Sequence, residues 1–140
     1  LYDLIKEKIG KSRQVFFVHG GTDTQQREKV REITEKEKDA VIIASYGTFS
    51  TGINIRNLHN VIFASPSKSR VRNLQSIGRG LRKGDDKTSC RLFDIGDDLS
   101  WKSRKNYTLL HMIERIKLYN EEGFKYKLVR ISTDGNSKGT

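Results

Sequence analysis

Three side chains in the run Gln75-Ser-Ile-Gly78-Arg79-Gly-Leu-Arg82 have the types and spacing for phosphate chemistry. On a helix, positions three or four apart share a face, so Gln75, Arg79 and Arg82 would converge on one spot. A guanidinium is permanently charged and offers a fork of donors matched to phosphate oxygens. Two at once point to a polyphosphate. The ordinary alternative is a basic, solvated helix face. Gly78 and Gly80 weigh against it, because each costs about 1 kcal/mol relative to alanine inside a helix. Keeping both beside two arginines implies close approach of the backbone to a ligand.

The rest of the chain must position that spot. Its 140 residues are expected to form one domain, long enough to bury roughly two-thirds of its unfolded surface. The net charge of +10 implies an anionic partner, with nucleic acid first. Cys90 is the only cysteine, which excludes an intrachain disulfide and a cysteine-based metal cluster. His19, His59 and His111 lack metal-ligand spacing, so no metal site is expected. No apolar run approaches the ~20 residues of a membrane span, and the N-terminus has no signal-peptide pattern. The expectation is an intracellular protein that does not meet a membrane.

Helices and strands alternate. Leu1–Ile9 reads as a helix that begins as if cut from a longer chain. Gln14–Val18 is a short apolar strand running into His19-Gly20-Gly21. Asp23 is placed to cap a helix over Thr24–Lys38, with Gln26 three positions on and Val30 and Ile33 as its apolar stripe. Ala40–Ala44 and Asn60–Ala64 are further strands, Lys68–Arg82 a helix and Thr88–Asp94 a fourth strand. One long helix is expected from Trp101 to Glu122, with Leu109, Leu110, Met112, Ile113, Ile116 and Tyr119 facing inward. Phe124–Ile131 alternates like an edge strand, and 132–140 reads as a flexible tail. This order predicts a parallel sheet with helices on both faces, and ligands at the carboxyl ends of the strands.

Other motifs lead nowhere. Gly10-Lys11-Ser12 ends like a phosphate-binding P-loop, but Ile5 stands where its first glycine is needed and a helix precedes it. Leu92-Phe93-Asp94 could carry a magnesium-binding aspartate, but without a P-loop a capped turn is the better reading. No Ser-His-Asp or Cys-His layout is present.

Three stretches in order give the phosphate spot its context. Gln75-x-x-Gly78-Arg79-x-x-Arg82 resembles motif VI of superfamily 2 helicases. Ser45-Tyr46-Gly-Thr48-Phe-Ser-Thr-Gly52-Ile-Asn54, following the strand AVIIA, resembles motif V. Val15–Gly21, followed by a helix bearing Arg27, resembles motifs IV and IVa. Within that family the loop ASYGTFSTGIN and the run SIGRGLRKG are similar to those of phage recombination helicases. The resemblance implies a second, C-terminal RecA-like domain over 1–131: an α/β three-layer sandwich with a mostly parallel sheet and a long C-terminal helix.

It further implies a fragment of an ATP-dependent helicase or translocase. ATP and Mg2+ would be held mainly by an N-terminal RecA-like domain of the same polypeptide, which carries the P-loop. Without that domain the fragment is expected to be inactive. Arg79 and Arg82 would act as arginine fingers on the γ-phosphate, and Gln75 would couple nucleotide state to domain closure. Gly52, Asn54 and Gly78 would approach the nucleotide. Gly20, Gly21, Ser45, Tyr46 and Thr48 would lie on the nucleic-acid side, where backbone amides and hydroxyls hold successive phosphates. The implied partner is DNA, branched or in a DNA–RNA hybrid, in recombination, replication or repair, and the implied setting is the cytoplasm of a bacterium or phage-infected host. The alternative is a stand-alone basic nucleic-acid-binding or adaptor module without ATPase activity.

Overall fold

A computed structural model describes residues 1–37, 39–48, 55, 58–65 and 90–132. These fall in two compact units, Leu1–Gly96 and Asp97–Thr140. The expected helix Lys68–Arg82 lies outside the described residues.

The first unit is built on parallel strand pairs. Strand β1 (Val15–Val18) pairs in parallel with β2 (Val41–Ala44), Val15 opposite Val41 and Val18 opposite Ala44. Side chains alternate across a strand, so Phe16, Val18, Ile42 and Ala44 share one face. That face meets helix α2 (Thr24–Lys36): Val18, which is fully buried, and Ile55 form a core against which Val30 of α2, Ile42 and Leu58 pack. The opposite face meets helix α1 (Tyr2–Ile9), whose Tyr2 ring stacks on Phe17 at 5.5 Å between centroids. The pair is therefore sandwiched between two helices, which is the layering expected from the sequence.

Strand β3 (Asn60–Phe63) pairs in parallel with β4 (Arg91–Asp94), Val61 opposite Leu92 and Phe63 opposite Asp94. Phe63 is buried and takes the Tyr46 ring at 5.7 Å. Among the described residues the strands form these two separate pairs rather than one continuous sheet. Burial also pushes the Cys90 thiol pKa up, just before β4.

Helix ends follow local chemistry. Asp23 caps α2 as expected, its carboxylate accepting from the Gln26 backbone N–H at 2.8 Å. On the solvent face of α2, Arg31 pairs with Glu28 and, at 3.3 Å, with Glu35. The Arg31 hydrogen bond holds the Glu28 carboxyl below its ordinary range.

The second unit corrects three expectations. Its helix α3 runs Tyr107–Glu121, not from Trp101. Residues 101–104 instead form a tight turn, closed by Trp101 N–H to Arg104 O at 3.1 Å and Arg104 N–H to Trp101 O at 3.0 Å. Lys102 takes φ = 54° there, which a helix cannot accommodate. The inward stripe is also shifted. Arg115, Leu118 and Tyr119 are the buried residues of α3, whereas Leu110 is 41% exposed. Finally, Phe124–Ile131 is not a strand. The chain leaves α3 through Gly123 at φ = 70°, with Phe124 N–H bonded to Tyr119 O at 2.8 Å and Gly123 N–H to Asn120 O at 3.1 Å. This is a Schellman ending. It turns the following segment back, and Phe124 and Tyr126 pack on Tyr119 at 6.4 and 6.2 Å. Beyond these two rings the alternation finds no core: Leu128 and Ile131 are exposed.

Candidate functional site

Equal strand lengths and level register bring two loops together. Val18 and Ala44 end β1 and β2 side by side, and Ser45 N–H donates to Val18 O at 3.2 Å. The loop His19–Asp23 and the turn beginning at Ser45 therefore leave the same end of the same strand pair. Gly20, Gly21, Ser45, Tyr46 and Thr48, separated by up to 28 positions in the chain, gather at that carboxyl end.

The first loop is closed on itself. Thr22 N–H donates to His19 O at 3.0 Å, and His19 N–H to the Thr22 hydroxyl at 3.0 Å. Gly21 N–H donates to His19 Nδ1 at 3.1 Å. This amide is thus engaged, and an anion reaching it must displace the imidazole. A Cβ at Gly20 would meet nothing within 4 Å, whereas one at Gly21 would lie 3.0 Å from the imidazole Cε1. Arg27 reaches back from α2 and donates to Gly20 O at 3.1 Å and His19 O at 3.4 Å. Its guanidinium ties the helix to the loop, a positioning role that the helical spacing of Arg27 from Asp23 does not reveal.

The second loop divides its hydroxyls between surface and interior. Ser45 is exposed; Thr48 is 3% exposed, and the two hydroxyls share a hydrogen bond of 2.7 Å. Thr48 was expected among the phosphate contacts, but its hydroxyl is turned inward and orients that of Ser45. Tyr46 is half-buried with its ring against Phe63. What this end of the strands offers an anion is the exposed Ser45 hydroxyl and the exposed Gly20 backbone beside it.

Gln75, Gly78, Arg79, Arg82, Gly52 and Asn54 lie outside the described residues. Among the described residues, no three His, Cys, Asp or Glu side chains gather as metal ligands, and no described helix is long and apolar enough to cross a membrane. Gly10-Lys11-Ser12 lines an open recess of about 560 Å³ at the amino ends of β1 and β2, away from the two loops. There the Ser12 hydroxyl donates to Ile9 O at 3.0 Å, just past the end of α1.

The chain is similar to known proteins in three ways. Residues 2–84 match the family model of the helicase conserved C-terminal domain. The chain is 38% identical over 142 aligned positions to the ATP-dependent DNA helicase uvsW of Enterobacteria phage T4, covering 94% of this chain and 28% of that protein. Over 75 positions it is 32% identical to IRC3 of Saccharomyces cerevisiae, a protein named for ATP-dependent helicase activity, covering 53% of this chain and 11% of that one. The chain thus spans about a quarter or less of these relatives. In fold it resembles the crystal structure of the C-terminal part of the Fun30 ATPase domain, with a TM-score of 0.55 at 14% identity over 85% of this chain and 44% of that one.

Proposed function

The chain belongs to the helicase conserved C-terminal domain family, and we propose that it works as the second motor lobe of an ATP-dependent superfamily 2 helicase or translocase acting on DNA. The family match over 2–84 carries this reading, since that stretch holds both loops and the Arg79–Arg82 run. The lobe spans 1–131 and closes against an N-terminal RecA-like lobe that brings ATP and Mg2+. Arg79 and Arg82 meet the γ-phosphate on closure. In phosphoryl transfer negative charge spreads over the equatorial oxygens, and guanidinium groups aimed there stabilise it. Gln75 reports nucleotide state to the lobe interface, while Gly52, Asn54 and Gly78 allow close approach to the nucleotide.

On the nucleic-acid side, the Ser45 hydroxyl and the Gly20 backbone take successive phosphates, and the Gly21 N–H joins them once a phosphate displaces the His19 imidazole from it. Such contacts position a strand without reading its sequence. Branched DNA or a DNA–RNA hybrid in recombination, replication or repair is the substrate, a reading supported by the 38% identity to the phage T4 helicase.

The test uses a polypeptide carrying both lobes. Arg79→Ala or Arg82→Ala is expected to lower ATP turnover by about 10³-fold or more while DNA affinity stays within about twofold of the parent. Retained hydrolysis would remove the finger role. The net charge of +10 favours a second reading, a nucleic-acid-binding module without ATPase activity. In that case Arg79→Ala would matter no more than any other exposed arginine change, and no ATPase would appear with both lobes present.

A further inference from the structure

The turn before α3 displays an aromatic ring that the fold does not use. Trp101 is the sole tryptophan of the chain, and it is 76% exposed. A tryptophan usually contributes one of the largest apolar areas to a core, so leaving it in water forfeits stabilisation. Nor is the turn loose. Its ends are closed by the mutual backbone hydrogen bonds of Trp101 and Arg104. The Asn106 side chain, at the N-cap position of α3, turns back rather than capping. It accepts from Leu99 N–H at 3.1 Å and donates to Asp97 O at 2.9 Å. Thr108 Oγ1 donates to the same carbonyl at 2.9 Å.

The turn also keeps Lys102 at φ = 54°, a left-handed conformation that glycine or asparagine adopts with less strain. The sequence accepts that strain to place a cation at the tip. Lys102, Arg104 and Lys105 are all exposed, and residues 99–107 contain no acidic side chain. Asp98, just before the turn, is engaged by the Ser100 N–H at 3.1 Å and by Arg130 at 3.7 Å.

An exposed ring on a braced turn, with three cations around it, has the chemistry of a single-strand platform: bases stack on the ring while cations hold the backbone. We infer that the 99–107 turn is a second nucleic-acid contact, in which an unpaired base stacks on Trp101 and Lys102, Arg104 and Lys105 meet the flanking phosphates. The inference rests on the proposed DNA-binding role of the domain. It adds a site in the Asp97–Thr140 unit to the one formed by the β1 and β2 loops.

Because Trp101 is the only tryptophan, the emission of the unmodified 140-residue chain reports on this site alone. Titration with a fluorescein-labelled oligothymidylate of about 15 nucleotides is expected to quench that emission saturably. The midpoint should match the one read from the label's anisotropy. A blunt duplex of the same length, whose bases are already stacked, is expected to quench far less. Trp101→Ala should weaken single-strand binding by roughly 5- to 150-fold, the range that loss of one base–aromatic stack gives. Trp101→Phe should retain most of the affinity, with circular dichroism unchanged in both. Rising anisotropy without quenching would overturn the Trp101 contact while leaving DNA binding by the domain intact. Absence of both signals at low salt would overturn the two together. Equal quenching by duplex and single strand would overturn the stacking.

Discussion

The pair Ser45 and Thr48 makes an asymmetric prediction about stability. Each hydroxyl is the other's partner at 2.7 Å, but Thr48 is 3% exposed and Ser45 is exposed. Ser45→Ala leaves the buried Thr48 hydroxyl without its partner, and an unmade hydrogen bond of that kind costs about 1–3 kcal/mol. Thr48→Val leaves the Ser45 hydroxyl free to bond water and replaces a buried hydroxyl with a methyl of similar size. Its expected cost is within about 1 kcal/mol, because no buried polar group is stranded. Adding Thr48→Val to Ser45→Ala removes the stranded group and should recover about 1 kcal/mol or more. Urea unfolding of the two single variants and the double variant measures all three values, with an unchanged m value confirming that only stability has moved. A Thr48→Val loss larger than that of Ser45→Ala, or strictly additive losses, would refute the view that Thr48 acts through Ser45. The same cycle read by DNA affinity should also be non-additive, since Thr48 reaches the proposed phosphate site only by orienting the serine.

Three further outcomes are expected. Asp23→Ala should cost about 1 kcal/mol by removing the cap on α2, and Asp23→Asn should recover most of it, as thermal unfolding would show. Gly10→Ala should destabilise by about 1–3 kcal/mol, the range for forced overpacking, because its Cβ would lie 2.4 Å from the backbone oxygen of Lys6. Gly20→Ala, where that atom meets nothing within 4 Å, should change stability by less than about 0.5 kcal/mol. The Asp98 carboxyl is held below its ordinary range, first by the Ser100 hydroxyl, then by the Ser100 N–H, with smaller help from Arg130 and Lys105. Its contribution to stability is complete above the unfolded carboxylate range and is lost as the pH falls through the depressed native value. Carbon-detected NMR should show its titration midpoint move upward in Ser100→Ala.

Much of the first unit was legible because its signals are local. Asp23 followed by Gln26 announces a helix start, and the runs VFFV and VIIA announce buried strands, since short-range chemistry decides both. The level register of β1 and β2, which joins Gly20 to Ser45, followed only from the general rule about carboxyl ends of parallel strands. The second unit was harder. Apolar spacing extended the long helix back to Trp101, but the backbone at Lys102 and the backward turn of Asn106 stop it at Tyr107. Periodicity does not register a side chain that abandons its cap to brace an upstream loop. Nor does it anticipate that a charged residue, Arg115, is 1% exposed on a helix whose Leu110 is 41% exposed. Resemblance places Thr48 among the contacts, whereas tertiary packing buries it behind Ser45. Arg27 shows the converse, a surface-helix cation whose use is to hold a loop.

The matched ends of β1 and β2 have a practical consequence for engineering this protein. The heights of the two loops are set by counting residues along four-residue strands, not by what the loops contain. Loop contents can therefore be exchanged as cassettes while their mutual alignment survives. A single insertion inside either strand would instead raise one loop by about 3.3 Å and flip its neighbours to the opposite face.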